Sequence, residues 1–284
     1  MKINPNKRRT SVTLIGILLF ISLICQGCST AKRTKHIKID GQLKIAKDIQ
    51  IQDTQKLFNI GEKMTFKISW LGVPVGTVVS EIKGKEIIRG KDAYRIELTA
   101  ETNPMMSAVF PVRDRFISFM DTKNLCTLRH EVERKEGFYR KQACTDFYQE
   151  ENTAYFKNSL DGSEKTFKIP ENCQDTLTAF YYLRTLNMEL GDTVIYNIIN
   201  SEKNYTIYAN IEKKEFIKIK KLGTFDAFLI KPRAEIEGKE TTRGSAIGYF
   251  SADSRRLPLI SILRSYLFTK IIVTLVDYEA GKTQ

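Results

Sequence analysis

From residue 57 onward the chain alternates apolar and polar residues with a period of two, again and again. Met64, Phe66, Ile68 and Trp70, for example, alternate with Thr65, Lys67 and Ser69. Only a strand with one buried face converts that pattern into a continuous apolar surface. Similar runs lie near residues 77–83, 94–100, 115–121, 125–134, 139–148, 153–156 and 166–169. They resume at 194–199, 205–211, 215–221, 225–232, 245–250, 257–264 and 266–278. Turn residues such as Gly72, Gly137 and Asp161-Gly162 separate several of them. One stretch breaks the rhythm. Asp175 is placed to cap a helix, Leu177, Phe180, Tyr181, Arg184 and Met188 recur at helical spacing, and Gly191 is placed to end the segment. The expected fold is mainly β: a strongly curved antiparallel sheet, or open β-barrel-like roll, with one helix near residues 175–189 packed on it.

Three anchors recur in order along the β segments. Gly61-Glu62-Lys63-Met64 matches Gly191-Asp192-Thr193-Val194, Asp92-Ala93-Tyr94 matches Asp226-Ala227-Phe228, and Asp121 before Leu125 matches Asp253 before Leu257. Near-constant spacing between matched anchors implies two similar halves, about 57–170 and 191–278, within one β-rich domain spanning 57–278.

The N-terminus is of another kind. Lys2, Lys7, Arg8 and Arg9 precede an apolar run from Val12 to Ile24, and Gly27-Cys28 follows. The run suits a secretory signal and is short for a spanning helix, which needs ~20 apolar residues. The arrangement resembles a bacterial lipoprotein signal, with residues 1–27 removed and Cys28 lipidated. Ser29, where a non-acidic residue resembles an outer-membrane sorting signal, places the anchor at the periplasmic face of the outer membrane. Residues 28–56 then read as a lipidated cysteine and flexible tether, and 279–284 as a tail.

Without the signal, 41 Lys and Arg face 33 Asp and Glu, a net of +8. That balance favours anionic partners such as lipid headgroups or acidic glycans. Nucleic acid fits the charge but not the compartment. In an oxidising envelope Cys126 and Cys144, on adjacent predicted strands, are the preferred disulfide pair, with Cys173 left over.

Several of these segments carry a family resemblance. Residues 58–64, the 72–76 hairpin, Val112-Arg113-Asp114-Arg115-Phe116, Asp175 with 179–184, and 253–258 resemble the bacterial envelope family called domain of unknown function 3108. The resemblance implies an exported or lipid-anchored protein with a β-rich, open-barrel-like fold, and carries no catalytic residues to transfer.

Tests for chemistry find little. Of the two histidines, His36 lies in the tether and His130 on a predicted strand, and no metal-ligand spacing or phosphate-binding glycine loop occurs. Two groups of residues stand out. Arg113, Asp114, Arg115, Arg184, Asp253, Arg255 and Arg256 form one; converged, they would grip a phosphate or carboxylate, and otherwise they are structural bridges pinning the helix to the sheet. Trp70, Leu71 and Val73 with Met105, Met106 and Phe110 form the other, an apolar groove or ordinary core cover. The expectation is a non-enzymatic, cofactor-free binding or assembly component of the cell envelope, with a membrane as partner through Cys28. Its further partner is an envelope lipid, glycan or protein. The alternative is a periplasmic carrier holding a lipid, lipoprotein or anionic glycan in the concave sheet.

Overall fold

The structure is a computed structural model that describes residues 43–45, 57–241, 244–265 and 270–282. The signal segment, Cys28 and the tether apart from residues 43–45 lie outside the described residues.

The alternating runs become one long, curved sheet. Its first meander runs through β2 (Ile60–Trp70), β3 (Val73–Ile88), β4 (Lys91–Thr102), β5 (Arg113–Asp121), β6 (Thr127–Glu136), β7 (Tyr139–Tyr148), β8 (Thr153–Asn158) and β9 (Glu164–Lys168). A short helix, α1 (Pro104–Ser107), joins β4 to β5. After β10 (Gln174–Asp175) and the helix α2 (Thr176–Thr185), the second meander runs through β11 (Thr193–Asn200), β12 (Lys203–Ile219), β13 (Gly223–Ile236), the short β14 (Lys239–Glu240), β15 (Gly244–Ser251), β16 (Pro258–Ser265) and β17 (Lys270–Lys282). The meanders join where β17 pairs antiparallel with β2, from Ile271 opposite Trp70 to Lys282 opposite Ile60.

Six strands of each half follow one another in the same order, β2–β7 in the first and β11, β12, β13, β15, β16 and β17 in the second, while β8, β9 and β14 lie outside the match. Gly61 and Gly191 open the matched strands with φ of 82° and 88°. Bulges interrupt the ladders at Ile82/Gly84 and at Ile211/Lys213. The turns after β5 and β15 share an aspartate that accepts from the backbone N–H two residues on, Asp121 from Lys123 and Asp253 from Arg255.

Sequence boundaries move in four places. The charged stretch Glu212-Lys213-Lys214 does not divide two strands, because the bulge at Ile211/Lys213 lets β12 run through it. Residues 279–282 of the presumed tail are sheet, since β17 continues to Lys282. Within the presumed tether, β1 (Leu43–Ile45) pairs in parallel with β11. The helix ends at Thr185 rather than near 189, because Leu186 turns to extended backbone (φ −87°, ψ 139°) and leads to buried Met188.

Helix α2 fills the concave side. Nine of its ten residues are buried, all but Phe180, and its apolar side chains share one core with both meanders, from Met64 and Ile96 to Ile207 and Leu275. Tyr181 reaches β3 by a hydrogen bond between its hydroxyl and Ser80 Oγ at 2.8 Å. Because successive strands alternate in direction, the β2–β3, β6–β7 and β8–β9 turns and the α1 segment lie at one end of the roll. The β12–β13 and β15–β16 turns lie at the other.

Candidate functional site

The charged residues singled out from the sequence do not converge on one site. Arg113 is exposed, and Arg115 lies against Glu97 through two hydrogen bonds of 2.9 and 2.8 Å. Between them Asp114 points the other way and is buried, accepting from the Lys135 N–H at 2.9 Å. Burial, and then the neighbouring Glu136, push the Asp114 carboxyl up to about 7.

Arg184 lies inside the roll. Its guanidinium and the Glu62 carboxylate, each 1 % exposed, form a fork of 2.9 and 2.6 Å. Arg184 Nε donates to the Arg255 carbonyl at 3.1 Å, and the Tyr278 hydroxyl donates to Glu62 at 3.1 Å. Phe58 and Tyr181 face the guanidinium at 5.4 and 5.3 Å. The pair therefore ties the helix to β2, to β17 and to the β15–β16 turn.

Above that tie a cleft of about 330 Å³ opens, lined by Leu222, Thr224, Phe225, Asp226, Asp253, Arg255, Leu257 and Tyr278. Arg255 is held by Asp253 Oδ2 through Nε at 3.1 Å and Nη2 at 2.5 Å, with the Phe225 and Tyr278 rings 5.8 and 5.7 Å away. Burial raises the Asp253 pKa, but the bonds from Arg255 and Ser251 outweigh it and hold the carboxyl below its usual value. Arg256 is turned inward, donating to the Ala252 carbonyl at 2.6 Å over the Phe228 ring. Sequence reasoning found Asp253 and Arg255 here but missed Glu62, Phe225 and Tyr278, whose approach depends on pairings far apart in the chain.

The apolar candidates do come together, at the opposite end. Asn103 binds the β3 strand through Val75 O and Pro74 O, which seats the α1 segment against the β2–β3 hairpin. Leu71 and Met105 are each 63 % exposed, Val73 50 % and Val109 80 %. Trp70, Met106 and Phe110 are half-buried beneath them, Phe110 against the turn glycine Gly137. The next turns add Phe138, Tyr139 and Leu160, all exposed. Of ten large exposed apolar side chains among the described residues, only Ile87, Leu190 and Phe216 lie elsewhere. Exposed Arg113 and Arg140 stand beside this rim, and Lys270 accepts the Leu71 N–H on its carbonyl.

Among the described residues, two small apolar pockets flank Phe180. One, of about 50 Å³, is bounded by Met64, Val78, Leu98 and Leu263; the other, of about 20 Å³, by Tyr196, Ile230 and Phe250.

His130 does acquire a serine and an aspartate as neighbours. Ser118 Oγ lies 2.9 Å from His130 Nδ1 and 3.0 Å from Asp175 Oδ1. The order differs from a hydrolase triad, in which the histidine stands between the other two. Asp175 is committed to capping α2, accepting from the Leu177 and Thr178 N–H groups and from the Thr127 and Thr178 hydroxyls. Burial lowers the His130 pKa against the pull of Asp175.

The expected Cys126–Cys144 disulfide is not present; Cys126, Cys144 and Cys173 are free thiols. The register explains this. Cys144 lies opposite Glu131, five residues along from Cys126. That spacing is roughly 17 Å of strand, far beyond the ~7 Å that a disulfide spans.

Comparison with known proteins agrees with the fold. The structure is similar to a beta-barrel-like protein of domain of unknown function DUF1849 from Brucella abortus, at 7% identity and a TM-score of 0.55, covering 78% of this chain and 97% of that one. A "putative lipoprotein" from Parabacteroides distasonis also matches, at 10% identity, a TM-score of 0.31 and coverage of 78% and 95%. No curated protein matches by sequence. The family model described as "Protein of unknown function (DUF3108)" matches residues 65–263, and the chain belongs to that family.

Proposed function

We propose that the protein is a non-catalytic binding component of the cell envelope. A lipid on Cys28 holds it at the periplasmic face of the outer membrane, and the apolar rim seats the domain on that same membrane. The observation that carries this reading is the rim. Leu71, Val73, Met105, Val109 and Phe138 crown neighbouring turns at one end of the roll, with the positive charges of Arg113 and Arg140 beside them. Exposed apolar groups backed by cations suit the boundary between acyl chains and anionic headgroups.

The carrier alternative has less support. The pockets beside Phe180, of about 50 and 20 Å³, are far smaller than the ~300–1,000 Å³ of small-molecule sites. Hydrolysis has less still, because Asp175 is occupied as a helix cap and Ser118 is buried.

Vesicle sedimentation tests the seating. The chain lacking residues 1–28 should partition onto anionic vesicles, and Val109→Asp with Phe138→Asp should reduce partitioning ~10-fold or more, because each buries a charge where an apolar group was. Equal sedimentation of parent and variant would remove the rim from the mechanism.

A further inference from the structure

We propose that the cleft at the end of the roll opposite the rim binds a neutral saccharide unit. This rests on reading the chain as an envelope binding component and names what it binds. At about 330 Å³ the cleft falls within the range of small-molecule sites, unlike the pockets inside the roll. Its lining combines two aromatic rings, Phe225 and Tyr278, with the polar groups of Thr224, Asp226, Asp253 and Arg255. A sugar ring offers a C–H face that packs on an aromatic ring and hydroxyls that both donate and accept. Carboxylates accept from those hydroxyls, while Thr224 and the remaining Arg255 nitrogen, Nη1, donate to them.

The charges argue against an anion. Arg255 is neutralised by Asp253, at 2.5 Å, and Asp226 is neutralised by Lys214, also at 2.5 Å. A phosphate would have to displace Asp253 from its fork, whereas a neutral polyol leaves both ion pairs in place and uses the lone pairs they leave over. The walls are also held before any ligand arrives. The Arg255 carbonyl and the Tyr278 hydroxyl are both fastened to the buried Arg184–Glu62 pair. A cleft whose sides are already fixed loses little entropy on binding.

A ligand-observed NMR screen of soluble neutral oligosaccharides tests this, with the β-1,4-linked N-acetylglucosamine trimer and maltotriose as first probes and inorganic phosphate as the anionic competitor. Saturable binding of at least one saccharide is expected, at roughly 0.1–1 mM. Thr224→Ala and Asp226→Asn, both at exposed positions, should each weaken it several-fold and together by ~10-fold, the value of one or two hydrogen bonds. Binding should be indifferent to phosphate and unchanged in Phe138→Asp, at the far end. Absence of saturable binding by any neutral saccharide, or binding that phosphate displaces, or binding that survives the double variant, would overturn the assignment. The measurement needs no membrane, so failure of the rim to engage vesicles would leave its result standing.

Discussion

At the scale of single residues, the Arg184–Glu62 fork carries the most consequence. Both groups are out of water, and the pair holds the helix, two strands and the β15–β16 turn together. Removing one partner strands the other charge in the core, which costs about 3–5 kcal/mol. Arg184→Met is expected to lose that much in urea denaturation, and Arg184→Met with Glu62→Leu much less than the two singles combined. Additive losses would show that the two side chains act separately. Asp114 gives a pH dependence with the opposite sign from an ordinary paired carboxylate. Its folded pKa, about 7, lies above the ordinary 3.8. The fold therefore favours the protonated form, and the stability this adds is complete below 3.8 and is lost as pH rises towards 7. Asp114→Asn is expected to flatten the stability profile between pH 4 and 7 and to gain about 1 kcal/mol or more at pH 8. A variant less stable than the parent at pH 8 would mean that the ionised carboxylate is the form the fold wants. The role of Arg184 as a bridge pinning the helix to the sheet was among the sequence expectations, whereas the burial of Asp114 was not. Arg184 was visible on the apolar face of a helix, but its partner lies 122 positions away and nothing local points to it.

Elements were easier to foresee, because their causes are local. The period-two runs specified strands, and Asp175 announced the start of α2. Its end was misjudged because buried Met188 falls at helical spacing from Arg184 but lies beyond Leu186, where the backbone has already turned extended. Asp175 does more than cap. Its carboxylate gathers the Ser118, Thr127 and Thr178 hydroxyls as well as two backbone N–H groups, joining the helix to β5 and β6. Asp175→Ala should cost about 2–4 kcal/mol, a lost cap plus stranded buried donors, and Asp175→Asn clearly less, since one acceptor oxygen remains. Equal losses in thermal melts would indicate that charge rather than hydrogen bonding matters there. The apolar groove was legible in part. Trp70, Leu71, Val73, Met105, Met106 and Phe110 do meet, but Phe138, Tyr139 and Leu160 join them only because the sheet brings the β6–β7 and β8–β9 turns to the same end.

At the scale of the molecule, two matched meanders close around one helix, with unlike surfaces at the two ends. The repeat was legible from the glycine-acid and Asp-x-x-x-Leu anchors, which mark turns whose geometry both halves share. The contrast between an apolar rim and a polar cleft was not, since it depends on which turns a strand direction places together. The most direct test of the rim uses Trp70, the one tryptophan in the chain, which lies at the base of that rim. The protein, with the lipid proposed on Cys28, is reconstituted into anionic vesicles whose acyl chains carry bromine at a known depth, and Trp70 fluorescence is recorded. Seating on the rim predicts a blue shift and quenching by bromine near the headgroups, both lost in Val109→Asp with Phe138→Asp. Fluorescence that is the same in brominated and ordinary vesicles would mean that the rim is turned away from the membrane.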